Sequence, residues 1–464
     1  MAALCGCLFL LAGCSSENPA TGARRTTTPA PAATSPSEDV GGDDRSRRCG
    51  ARRAAPPEQV PHYDMSLRID PEAGTVDGTS DVTFVADRAT RRLVFRLWPN
   101  GPKLAAEGTE LTIQEASVRD RDATIEQPDP TTLVFDLARR LPPGEAAVAE
   151  LRWRLDLPGA ILDRISQNGD AIRLGSFFPI LSWEGDRGWA TDPPTTTLAE
   201  ASTSPTADFD VSIDVPAGLD VIATGQESAG GQWAAQDVRD FAVAVGRFDM
   251  TRTTVDAPDP VEVTVGVAEG LDSSKQEFAD AIERALEDLS KRYGRYPWPS
   301  LSMAIMPDLG RSGIEYPAMI FQGDDSLEWA TTHEVAHSWF YGLVGNNQAR
   351  DPWLDEGITS WAQARGDDIL GYFRDYELSE TARGRMGKSM RFWDRHEGDY
   401  YDGVYAQGVK ALDALGKNRR VDCALRRYVA QNAYGVATTE DLVSALKGSF
   451  PRARRVLERF GARP

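Results

Sequence analysis

Residues 333–337 read His-Glu-Val-Ala-His, and Glu356 follows after eighteen intervening residues inside Trp353-Leu354-Asp355-Glu356-Gly357. Side chains four apart on a helix share a face, so the imidazoles of His333 and His337 can reach one ion. Glu334, beside the first of them, can face a water on that ion. Zinc takes nitrogen and oxygen donors in a tetrahedron, and a catalytic site leaves one place open. The metal lowers the pKa of its water towards about 7, and a carboxylate takes the proton. Two of only four histidines (His62, His333, His337 and His396) fall in this pentapeptide, which speaks against an incidental pair. Glu356 is the expected third ligand, returned to the metal by a second helix after a turn from Gly342 to Pro352. Its neighbour Asp355 is the competitor, or else orients a ligand from outside. One zinc ion per chain is expected.

The surrounding stretch, 257–464, is expected to be one domain. Pro258 and Pro260 punctuate the chain, and Val261, Val263, Val265 and Val267 alternate as a strand. Asp272 or Ser273 can cap a helix running to about Tyr293, with Phe278, Ile282, Leu286 and Leu289 as its apolar stripe. Leu301 to Met306 and Gly313 to Phe321 read as strands. From Leu327 onward the pattern is mainly helical.

Residues 59–256 have a period of two instead. Tyr63, Met65, Leu67 and Ile69 alternate with polar residues, as do Leu151, Trp153, Leu155 and Leu157, and later Phe209, Val211, Ile213 and Val215. Such alternation marks half-buried strands, and turn signals such as Asp77-Gly78 and Gly230-Gly231 separate them. An antiparallel β sandwich or saddle is expected, with no catalytic cluster. The chain as a whole is then a multidomain β plus α/β protein.

The first fourteen residues, MAALCGCLFLLAGC, form an apolar run ending in Leu11-Ala12-Gly13-Cys14. An apolar run closed by small residues is the shape of an export signal. This ending resembles a bacterial lipobox, although no Lys or Arg precedes it. The resemblance implies cleavage before Cys14, acylation of its thiol, and a protein exported and lipid-anchored to the outer face of the cell membrane. Residues 15–58 contain no Leu, Ile, Met or aromatic side chain, so they cannot bury a core and are expected to be a disordered tether. Cys49 in the tether and Cys423 either pair or stay as thiols. The net charge of −19 argues against nucleic acid as a partner. The sequence leaves the oligomeric state open.

Four motifs in order resemble the gluzincin zinc metallopeptidases that include aminopeptidase N and leukotriene hydrolase: Tyr293-Gly294-Arg295-Tyr296-Pro297-Trp298, Ser312-Gly313-Ile314-Glu315-Tyr316-Pro317, the two-part metal motif, and Tyr405-Ala406-Gln407-Gly408. The resemblance implies a thermolysin-like, mainly helical catalytic domain. It implies His333, His337 and Glu356 as zinc ligands, Glu334 as general base, Tyr405 as donor to the oxyanion, and Gly313 and Glu315 in substrate binding. Tyr400 and Tyr401 are the rivals of Tyr405. Tyr316 stands where the motif has Asn, and Gln407 where it has Lys. The function implied is removal of N-terminal residues from peptides with a free amine. The alternatives are an endopeptidase, another small-substrate hydrolase, and a non-catalytic zinc- or peptide-binding lipoprotein.

Overall fold

The structure, a computed structural model, describes residues 49–197, 203–228 and 230–463. The expected signal segment 1–14, with Cys14, and residues 15–48 of the expected tether lie outside the described residues. No helix among the described residues is long and apolar enough to cross a membrane. The last ten tether residues depart from expectation. Cys49 forms a disulfide with Cys423, their Cα atoms 5.3 Å apart. The Ala54 N–H donates to the Ala430 carbonyl. Both partners lie on the helix Asn418–Asn432. A covalent bond and backbone hydrogen bonding hold this segment, and a composition argument that counts only apolar burial does not register either.

The alternating stretches become strands with the expected faces. In His62–Asp70, Tyr63, Met65, Leu67 and Ile69 are buried and the residues between them are exposed. A seven-stranded sheet runs, edge to edge, through 226–227, 232–238, 207–214, 62–70, 75–85, 146–156 and 110–118. Two four-stranded sheets accompany it. One pairing corrects the antiparallel expectation: 62–70 runs parallel to 207–214, with His62 opposite Asp208. Parallel neighbours need a long crossover, and the chain between residues 70 and 207 supplies it. Alternation of side chains reports which face is buried, not the direction of the partner strand.

A five-stranded sheet then leads to the site. Phe248–Asp256 pairs antiparallel along its length with Pro260–Ala268. Ser300–Ile305 and Met319–Gln322 follow in parallel, and Gly313–Tyr316 closes the sheet as its edge strand. The strand before the expected boundary at 257 thus belongs with the sheet that follows it. Pro258 marks a hairpin turn, where Ala257 N–H donates to the Asp259 carbonyl. The half from Phe248 onward is accordingly helical from Leu327 but sheet-bearing before it, so the expected mainly helical domain is met only in part.

The helix Lys275–Tyr293 buries Phe278, Ile282, Leu286 and Leu289, as its periodicity predicts. Its cap is Ser274, whose side chain accepts from the Glu277 N–H. It packs on strands 248–256 and 260–268 and on the helices Leu327–Ala336 and Pro352–Gly366. Asp422 ties this group together from the helix 418–432, accepting from Trp361 Nε1 at 3.0 Å and from Arg292 Nη1 at 3.2 Å. Arg239 pins the β region to the same body. Its buried guanidinium donates to the carbonyls of Ser204 at 2.8 Å and Gly342 at 3.1 Å, the latter just past the helix 327–336.

Candidate active site

His333 and His337 project from one face of the helix 327–336 and its cap, and Glu356 comes from the first turns of 352–366. His333 Nε2 lies 3.0 Å from Glu356 Oε2 and 3.1 Å from His337 Nε2, and His337 Nε2 lies 3.4 Å from Glu356 Oε2. Zinc bonds these atoms at about 2.0–2.1 Å, so neighbouring ligands in its tetrahedron are about 3.3 Å apart. The three donors therefore have the spacing of one tetrahedral face. Burial works to raise the Glu356 carboxyl, but the imidazoles of His337 and His333 outweigh it and hold the group below the ordinary carboxylate range.

Each ligand is oriented from behind. Asp355 Oδ1 lies 2.9 Å from His337 Nδ1, and Asp355 Oδ2 accepts from Gln348 Nε2 at 2.6 Å. Thr359 Oγ1 is 3.3 Å from the same imidazole nitrogen, and the Phe340 carbonyl 3.1 Å. Gln363 Oε1 faces His333 Nδ1 at 3.3 Å. Such outer partners fix the ring orientation and leave Nε2 to the metal. Asp355 thus takes the orienting place, and Glu356 faces the two Nε2 atoms. Gln363 and Thr359 were missed from the sequence. Their spacing from Glu356, seven and three residues along one helix, was the available signal. Gln348 lies in a loop and gave none.

Glu334 is buried, and its Oε2 has no hydrogen-bond partner among the described residues. An orphaned buried carboxylate oxygen is costly unless a ligand completes it. Burial first, then the charges of Glu315 and Glu356, push Glu334 well above the carboxylate range, with His337 pulling it down. Gly313 makes room for it: a Cβ there would lie 2.4 Å from Glu334 Cδ. Glu315, on the same edge strand, is also buried, and burial pushes its carboxyl upward. One donor atom each from Glu315, Glu334 and His337 lies within 4.8 Å of the others. The edge strand thus brings a carboxylate to Glu334 and His337 together.

Tyr405 reaches the site from Tyr401–Ala406, a π-helical turn of the sort often found at functional sites. Its ring stacks on His333 with centroids 5.8 Å apart and an interplanar angle of 13°. Its rivals Tyr400 and Tyr401 both pack against the Tyr405 ring, at 5.7 and 5.3 Å. Closeness of backbones makes this meeting possible. A Cβ on Gly408 would lie 2.4 Å from Gly357 Cα, so the helices carrying Tyr405 and Glu356 cross at two glycines. Gln407 is a buried clip: Oε1 accepts from the Gly384 N–H at 2.8 Å and Nε2 donates to the Ala382 carbonyl at 2.8 Å. Tyr316 points its hydroxyl at Gly175, where a Cβ would collide at 2.0 Å. The segment 293–298 packs against Trp339, just past the helix 327–336. Tyr296 packs on Trp298 and Trp339, and Trp339 Nε1 donates to the Gly294 carbonyl at 2.8 Å.

Two histidines and an acid on one helix, a glutamate from the next and an edge strand alongside make up a candidate metal centre. Residues 279–459 match the model of the peptidase family M1 domain. Human aminopeptidase B is 36% identical over 122 residues, covering 25% of this chain and 19% of that protein. Aminopeptidase M1-B of Oryza sativa subsp. japonica is 24% identical over 443 residues, covering 83% of this chain and 47% of that protein. The chain thus spans about half or less of the length of these curated relatives. Among solved structures, an M1 zinc metallopeptidase from Deinococcus radiodurans superposes with a TM-score of 0.65 at 20% identity, covering 87% of this chain and 93% of that one. That likeness establishes a shared fold. A mutant of the Deinococcus enzyme has been solved bound to a Tyr-Ser-Ala substrate.

Proposed function

We propose that this protein is a zinc-dependent aminopeptidase that removes N-terminal residues from peptides. The observation that carries the proposal is the meeting of Glu315, Glu334 and His337 within 4.8 Å. It sets the Glu315 carboxyl, which a cationic substrate amine would hold ionised, directly beside the proposed general base and a proposed metal ligand. His333, His337 and Glu356 would hold the zinc. When bound, zinc acidifies a water and polarises the peptide carbonyl. Glu315 binds the α-amino group, which is largely cationic at pH 7 with a pKa near 8. With the amine fixed there, only the first peptide bond reaches the ligands. Glu334 takes a proton from the attacking water and passes it to the departing amine. The Tyr405 hydroxyl donates to the developing oxyanion. The peptide substrate of the Deinococcus relative is consistent with this assignment.

The proposal extends to the domain organisation, with a β domain over 59–256 and the catalytic domain over 257–464, and to an exported protein anchored through a lipid on Cys14. A single acyl chain gives marginal attachment, so more than one chain is expected on that residue. The activity is tested by loading the protein with zinc and following release of the first residue from a tripeptide. Glu334→Gln should retain its zinc and lose nearly all turnover. Tyr405→Phe should lose about 10²–10³ in kcat, the worth of one oxyanion donor. Near-parental kcat in either variant would remove that residue from its role.

A further inference from the structure

Four large apolar side chains are exposed among the described residues: Ile125, Leu162, Trp329 and Tyr372. Two of the four stand together, one of them a single helical turn before His333. Trp329 and Tyr372, 37% and 46% exposed, meet edge to face with ring centroids 5.9 Å apart. From this pair, ring contacts run unbroken to the metal site. Tyr372 meets Tyr376 at 5.7 Å, Tyr376 meets Tyr401 at 5.9 Å, and Tyr401 meets Tyr405 at 5.3 Å. Tyr405 in turn stacks on the ligand His333.

Direction follows from the helix. Trp329, His333 and His337 are spaced four apart and share one face. At 1.5 Å per residue, Trp329 stands about 6 Å beyond His333 and about 12 Å from His337 along the axis. Glu315 lies at the opposite end, grouped with Glu334 and His337. A peptide that starts at Glu315 and offers its first carbonyl to the ligands therefore runs its leaving portion towards Trp329. The Gln363 side chain ties the Trp329 turn of the helix to His333. Its amide donates to the Trp329 carbonyl while its oxygen faces His333. Rings are stiff side chains that lose little freedom on binding, and ring pairs favour offset or edge-to-face contact.

We propose that Trp329 and Tyr372 form the subsite for the second residue of the substrate, the one released as the new N-terminus, and that they select aromatic side chains there. This deepens the aminopeptidase assignment and rests on it. The test measures kcat/KM of the zinc-loaded protein on Ala-Phe-Ala, Ala-Gly-Ala and Ala-Lys-Ala. Ala-Phe-Ala should exceed Ala-Gly-Ala by about tenfold. Trp329→Ala and Tyr372→Ala should each reduce that ratio about three- to tenfold, chiefly through KM, the range expected of one aromatic contact. Trp329→Phe should preserve most of it, and both alanine variants should melt near the parent because the rings are exposed. An unchanged ratio in both alanine variants would overturn the subsite. So would a preference for Ala-Lys-Ala that disappears in Trp329→Ala, since the pair would then be a cation site. Cleavage without discrimination sinks the subsite alone, whereas failure to trim any of the three peptides sinks the aminopeptidase assignment and the subsite with it.

Discussion

Gly313 shows how a residue with no side chain can set the place of a buried carboxyl group. A Cβ at this position would sit 2.4 Å from both Cγ and Cδ of Glu334, and 2.5 Å from its Oε1. The glutamate is enclosed by buried neighbours, so it cannot yield without leaving its place near Glu315 and His337. Gly313→Ala should therefore fold and bind zinc but lose turnover by at least about tenfold, read as kcat on a tripeptide with metal content as the control. Activity at the parental level would mean that Glu334 tolerates displacement and is not poised by this contact. That His333 and His337 share a face was legible from the sequence because helical spacing fixes it. The need for glycine at 313 was not, because it arises between a strand and a helix some twenty residues apart in the chain. The same holds for Gln348, whose amide reaches Asp355 from a loop without periodicity.

At the scale of elements, the site depends on how two helices approach. Glycines 357 and 408 let the backbones of 352–366 and 407–413 come together, and this brings Glu356 and Tyr405 to one place. Gly408→Ala should push these helices apart. Overpacking of this kind costs about 1–3 kcal/mol, so thermal unfolding should move down by several degrees, with kcat reduced as Tyr405 withdraws. An alanine variant with parental melting and kcat would show that the crossing has slack. The motifs Trp-Leu-Asp-Glu-Gly and Tyr-Ala-Gln-Gly contain these glycines, so the crossing was present in the sequence as a pattern without its reason. Strand existence was equally legible from alternation, as in Tyr63 to Ile69. Partner direction and sheet membership were not: 62–70 pairs parallel to 207–214, and 248–256 joins the later sheet. Both depend on contacts between segments distant in sequence or on the hairpin at 257–259, and local periodicity carries no information about them.

For the whole molecule, the question is what keeps the β region and the metal-bearing body in one arrangement. Asp240 lies within the β region, between strands 232–238 and 243–246, next to Arg239, and is fully buried. It accepts from Ser176 Oγ at 2.6 Å and from the Phe241 N–H at 2.7 Å. Burial pushes its carboxyl up to about 7, against those hydrogen bonds and the Arg164 charge. An unfolded aspartate titrates near 3.9. Between about pH 4 and 7 the native state thus holds a proton that the unfolded chain has released, and stability contributed by this group falls as pH rises through that window. Asp240→Asn cannot titrate, so its melting temperature should decline less than that of the parent between pH 5 and pH 8. Equal pH slopes would show that Asp240 is not protonated in the native state. The acidic chain, with a net charge of −19, also favours the approach of cationic peptide ends over anionic ones. The central claim is that Glu315 and the metal centre together limit cleavage to the first peptide bond of a free amine. The most direct measurement gives the zinc-loaded protein one peptide in two forms, with its N-terminus free and with it acetylated, and follows the products by mass spectrometry. The account predicts stepwise loss of single N-terminal residues from the free form and an intact acetylated form; internal cleavage of the acetylated peptide at a comparable rate would contradict it.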